Sequence, residues 1–175
     1  MQTRVKIAIA GVVALVLAGL LALAAPVILP FLPERVQAAV GGTIETVPGT
    51  VEELFAATGL GEHEARGRVV THAEVDDEYV IAAKIWPWEL PEGWGFPKNR
   101  GVQDAPGAHW NGMGVAGAFS KWARASLGAV KDGRLAPDAA NRLLDEVEDA
   151  TLTLLDAGVL SDRRFVSQSV TLLRP

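Results

Sequence analysis

The chain opens on a block of apolar residues and then breaks into shorter amphipathic pieces. Between residues 7 and 32 only Gly11, Gly19, Pro26 and Pro30 interrupt the apolar run, and no charged residue occurs in it. As a helix rising 1.5 Å per residue the run would extend about 39 Å, more than the ~30 Å hydrocarbon core of a bilayer. Arg4 and Lys6 precede it and Arg35 alone follows closely. The positive-inside bias then leaves the N-terminus cytoplasmic and exports the rest. The pattern predicts a cytoplasmic N-terminus and transmembrane anchor at residues 1–33, a juxtamembrane helical stalk at 34–60 and an extracytoplasmic domain at 61–175. Val36-Gln37-Ala38 is a small-residue cleavage pattern. A secreted chain cleaved near Ala38, binding or trimming cell-wall glycan, is therefore the alternative.

Past this block the periodicity changes from piece to piece. Val36, Val40, Ile44 and Val47 share one helical face, and Pro48-Gly49 ends it. Thr50 and Glu53 form a capping box for a helix with Val51, Leu54 and Phe55 on its apolar face, and Gly59 is placed as its stop. Residues 66–86 fit two patterns. Val69, Thr71, Ala73 and Val75 alternate, as do Tyr79, Ile81, Ala83 and Ile85 beyond an acidic turn at Asp76-Asp77; a helix capped by Thr71 and Glu74 would instead carry a stripe of Val75, Tyr79, Ala82 and Trp86. The β-branched residues at Val69-Val70-Thr71 and Val80-Ile81 favour the hairpin. A helix is expected over 111–131, with Val115, Phe119, Trp122, Ser126 and Val130 on one face and a stop at Gly133. Another begins at Pro137, carries Leu143, Leu144, Val147, Thr151 and Leu154 inward, and ends at Gly158. A last strand is expected over 165–173. The predicted fold class is α+β.

Charge sharpens this picture. Residues 34–175 hold all 21 acids and 14 of the 16 bases, and the whole chain has net charge −5. An acidic domain has few cations to displace phosphate counterions, so no nucleic-acid partner is expected. With no cysteine, disulfide scaffolds, thiolate catalysis and cysteine zinc sites are excluded. A basic stretch over 98–142 is expected to pair with the acidic outer face of the second long helix, Asp138, Asp145, Glu148 and Asp149.

The most distinctive segment is 86–97, which holds three of the five tryptophans and three of the ten prolines. Proline fixes φ and removes a donor, so the segment must be a stiff loop. Trp86, Trp88, Trp94 and Phe96 are its candidate contact residues, for a protein or cell-envelope partner; the competing expectation is that their rings fold back into the core. Trp86-Pro87, Leu90-Pro91-Glu92-Gly93, Phe96-Pro97, Trp110-Asn111-Gly112-Met113-Gly114, Ala118 and Trp122 resemble a pattern in small membrane-anchored actinobacterial proteins of no established function. The resemblance covers about 40 residues and departs at Ala123, where the pattern often carries cysteine. It implies location and architecture, not an activity.

No catalytic, cofactor or metal site is expected. Gly112-Met113-Gly114-Val115-Ala116-Gly117 matches the dinucleotide pattern G-x-G-x-x-G, but no buried strand precedes it, and close helix packing accounts for the small residues better. His63, His72 and His109 lack metal-ligand spacing, and Asp76-Asp77-Glu78 lacks that of a calcium loop. There is no G-x-S-x-G, so a serine with His109 and Asp104 has no local signature. Glu89 and Glu92 among tryptophans could serve glycoside cleavage, yet two acids three apart on one loop seldom flank a bond. The function expected is that of a single-pass membrane-anchored protein, its lipid contact at 7–32, acting by binding or assembly without intrinsic catalysis.

Overall fold

The computed structural model describes residues 42–61, 64–100, 108–133 and 135–174. Five helices carry the fold: α1 (Val51–Thr58), α2 (His72–Lys84), α3 (Met113–Lys131), α4 (Pro137–Asp156) and α5 (Arg164–Leu173). The one sheet among the described residues is a two-stranded ribbon of β1 (Val69–Val70) and β2 (His109–Trp110), antiparallel, with Val69 opposite Trp110 and Val70 opposite His109. The fold is therefore mostly helical, which corrects the expected α+β class.

The hairpin expected over 66–86 is replaced by α2. Glu74 N–H donates to Thr71 Oγ1 at 3.2 Å, and Thr71 N–H donates to the Glu74 carboxylate at 2.7 Å. This reciprocal box satisfies two donors that a helix start otherwise leaves open. The helix then buries Val75, Tyr79, Ala82 and Ala83, the alternative stripe visible in the sequence, and that burial outweighs the strand preference of its β-branched residues. The expected strand at 165–173 is likewise α5, whose Val166 and Val170, one helical turn apart, are both buried.

Helix α1 has the predicted capping box, and Gly59 closes it at φ 73. The helical piece expected around Ile44 and Val47 is instead an extended strap, in its described part. Ile44 N–H donates to Phe96 O at 2.7 Å, Val47 N–H to Lys84 O at 2.8 Å and Thr46 Oγ1 to Ala83 O at 2.7 Å. Within the expected stalk at 34–60, Ile44 and Leu54 belong to the same core as α2 and α3.

The membrane assignment is corrected as well. Among the described residues no helix is long and apolar enough to cross a membrane. The span at 7–32 and the cleavage pattern near Ala38 lie outside the described residues.

Glycine fixes the central helix crossing. A Cβ on Gly114 would lie 2.5 Å from Tyr79 N, 2.6 Å from Val75 O and 2.7 Å from Glu78 Cβ. Helices α2 and α3 meet there backbone to backbone, a separation that only glycine permits. Helix α4 packs against α3 through Leu144, Val147, Ala150 and Leu154, and α5 contacts both.

Candidate functional site

The Trp/Pro segment forms the centre of the core. Trp86 and Phe96 are fully buried and Trp88 nearly so; only Trp94 is half-exposed, its ring 4.8 Å from Phe96. Trp86 lies 5.0 Å from Trp88, 5.5 Å from Phe96 and 5.5 Å from Trp122, in tilted and edge-on arrangements favoured by ring quadrupoles. Three of the rings have their polar ends tied down, while Trp86 Nε1 is buried without a hydrogen-bond partner. Tyr79 OH donates to Pro97 O at 2.8 Å, Trp122 Nε1 to Glu89 O at 2.7 Å and Trp88 Nε1 to Asp149 Oδ2 at 3.1 Å. Trp86, Trp88 and Phe96 are thus unavailable as an outward contact surface, which corrects that expectation. Glu89 and Glu92 are exposed at the rim of the same loop. Glu146 accepts from Glu89 N–H at 2.6 Å, and burial raises its pKa above the ordinary carboxylate range.

The G-x-G-x-x-G stretch starts α3, and each glycine has a structural reason. Gly112 is the N-cap at φ 92, Gly114 makes the helix crossing, and Gly117 leaves room for the Arg100 side chain. The amides that would hold a pyrophosphate already hold a carboxylate. Glu78 is buried and accepts from Gly112 N–H at 2.8 Å and Gly114 N–H at 3.1 Å. An anion at a helix N-terminus is favoured by the dipole and the open donors, and here the protein supplies its own. Burial raises the Glu78 pKa, with the hydrogen bonds from Gly114, Gly112 and Val115 opposing.

Asp76 and Glu78 belong to α2 and form no turn. Asp76 faces a polar cluster. Arg100 Nε lies 2.8 Å from Asp76 Oδ1, His72 Nε2 lies 3.2 Å from Asp76 Oδ2, and Arg100 Nη2 lies 3.2 Å from His72 Nδ1. The basic stretch therefore reaches α2, while the acidic face of α4 pairs with Arg174, whose Nη2 lies 2.7 Å from Asp145 and 2.6 Å from Glu148. His72 and His109 come together, with ring centroids 5.5 Å apart; no group of three or more His, Asp or Glu among the described residues could hold a metal. His63 and Asp104 lie outside the described residues, and Ser126 is buried in the core.

Two concave surfaces were missed by sequence reasoning. One is a cleft of about 220 Å³ lined by Arg66, Arg100, Asn111, Met113 and Val159 among others. The other is a groove of about 870 Å³ between the strap and α2, lined by Ile44, Val80 and Ile85, with Val47 at its edge and Glu45, Lys84 and Lys98 around it. Val47 is 66% exposed. The groove was hidden because Ile44 and Val47 fit a helical face in the sequence, and only the extended strap separates an inward Ile44 from an outward Val47. No family model, curated protein or solved structure matches this chain.

Proposed function

We propose that the chain acts by binding or assembly rather than by turnover, and that its contact surface is the strap–α2 groove. The partner is a protein segment with apolar side chains for the apolar lining and acidic ones for Lys84 and Lys98. The observation that carries this reading is the groove itself: an apolar trough whose lining carries two ammonium groups against one carboxylate, Glu45, on a chain whose net charge is negative. Exposed apolar surface with a polar rim is the usual anatomy of a recognition site. The chemistry-bearing side chains also support binding over catalysis, because Glu78, His72 and Asp149 are engaged in holding the fold.

Selection of random displayed peptides on the full chain tests this. Enriched sequences are expected to combine leucine-like and acidic residues. Val47→Asp should weaken their binding about tenfold or more, in line with losing a central apolar contact, and the double change Lys84→Glu, Lys98→Glu should do the same. Selected peptides indifferent to both variants, or no enrichment, would overturn the reading.

A further inference from the structure

We propose that the cleft between Arg66 and Arg100 is a second, independent binding site, and that it takes a small oxyanion. Among the described residues its lining includes Arg66 and Arg100 and no acidic residue, on a chain whose net charge is negative; Asp76 shares the charge of Arg100 from outside that lining. Guanidinium is planar, permanently charged and matched to the paired oxygens of carboxylate and phosphate.

The two arginines are held in different ways. The Arg100 side chain, 4% exposed, forms the floor. Its stem crosses α3 where a Cβ on Gly117 would lie 3.3 Å from Cδ, and Asp76 and His72 fix its head. Its orientation is set before any ligand arrives, which lowers the ordering loss on binding. Arg66 is at the exposed mouth. Among the described residues it is the one non-glycine with positive φ, at 64°, a conformation costing roughly 1–2 kcal/mol for an L-residue. Its N–H donates to Asn111 O at 3.0 Å, and its Nη2 reaches Val159 O on the far wall at 3.4 Å. That is a long bond from a cationic donor to a neutral acceptor, which a charged acceptor would replace with gain.

The other polar wall groups are engaged elsewhere. Asn111 Oδ1 accepts from Arg68 N–H and its amide donates to Glu64 O, and Glu78 occupies the amides of Gly112 and Gly114. Recognition therefore falls to the arginines, with Met113 and Val159 as apolar walls. At ~30 Å³ per water the cleft has room for about seven water volumes, which suits a phosphate group or a short dicarboxylate.

The test is thermal unfolding of the full chain with increasing inorganic phosphate or malonate, against sodium chloride at matched ionic strength. The variants are Arg66→Gly, which keeps the left-handed backbone and removes the guanidinium, and the groove double change Lys84→Glu, Lys98→Glu. A saturable rise of several degrees over chloride is expected with at least one oxyanion, retained in the groove variant and abolished in Arg66→Gly. A response to phosphate alone assigns the site to phosphate-bearing ligands, a response to malonate alone to carboxylates. The proposal is overturned if neither oxyanion exceeds chloride, if Arg66→Gly responds like the parent, or if the groove variant loses the response.

Discussion

Replacing Gly114 by alanine sets a single methyl group against the backbone of α2. The new carbon would meet Tyr79 N at 2.5 Å, Val75 O at 2.6 Å and Glu78 Cβ at 2.7 Å. None of these is the free end of a flexible side chain, so the two helices must separate by most of an ångström. Overpacking of this kind costs typically 1–3 kcal/mol and occasionally more. The same movement stretches the bond from Gly114 N–H to Glu78, now 3.1 Å, and a weakened hydrogen bond to a buried charged group adds roughly 1–2 kcal/mol. Against these stands the gain of about 1 kcal/mol from alanine over glycine inside a helix. The net expectation is a destabilisation of about 1–4 kcal/mol, a large share of the ~5–15 kcal/mol available to a domain. Gly128 is the control: it lies in the same helix with nothing within 4 Å of its would-be Cβ, so Gly128→Ala should stabilise by about 0.5–1 kcal/mol. Urea unfolding followed by circular dichroism, with linear extrapolation, measures both. A Gly114→Ala variant within about 0.5 kcal/mol of the parent would refute the close crossing.

Trp86→Ala should cost about 3–5 kcal/mol, as expected for emptying a fully buried aromatic site, read from the same urea curves; an effect near zero would remove the loop from the core. Glu74 and Glu78 should bend the pH dependence in opposite directions. The Glu74 pKa is lowered to about 2 by the Thr71 backbone hydrogen bond and by Arg68. Its contribution is therefore complete above the ordinary value near 4.5 and fades as pH falls toward 2, a fade that Glu74→Gln should abolish in acid unfolding curves. Glu78 has a raised pKa because of burial, so its share of stability is complete below the ordinary value and declines as pH rises through the folded-state value. Glu78→Gln should flatten that decline between its acid and neutral unfolding midpoints; an unchanged slope would place the titration elsewhere.

The sequence was most informative where a local signal and the packing agreed. Thr50, Glu53 and Gly59 bracket α1 as expected, and Pro137 and Gly158 bracket α4. It was misleading where two periods coexist: Val75, Tyr79 and Ala82 form a helical stripe inside a stretch whose β-branched neighbours alternate. The Thr71–Glu74 box and contact with α3 decide between them, and the second of these is not local. The Arg66–Arg100 cleft was illegible for the same reason. Its two cations are 34 positions apart, and only α2, the ribbon and the start of α3 bring them to one cavity. The Trp/Pro segment was correctly read as lacking regular structure, but composition alone cannot say which way its rings turn. That depended on acceptors at Pro97, Glu89 and Asp149.

The burial of that segment reverses the usual map of where a chain tolerates editing. Connecting segments ordinarily accept inserted or deleted residues because they run over the surface. Here one residue added between Trp86 and Glu89 would shift the stacked Trp88 ring and the hydrogen bonds at Trp88 Nε1 and Glu89 O out of register together. That irregular stretch is thus less editable than the exposed turns, and tags or grafted sequences belong instead at the open turn at Gly133, where a Cβ would meet nothing within 4 Å.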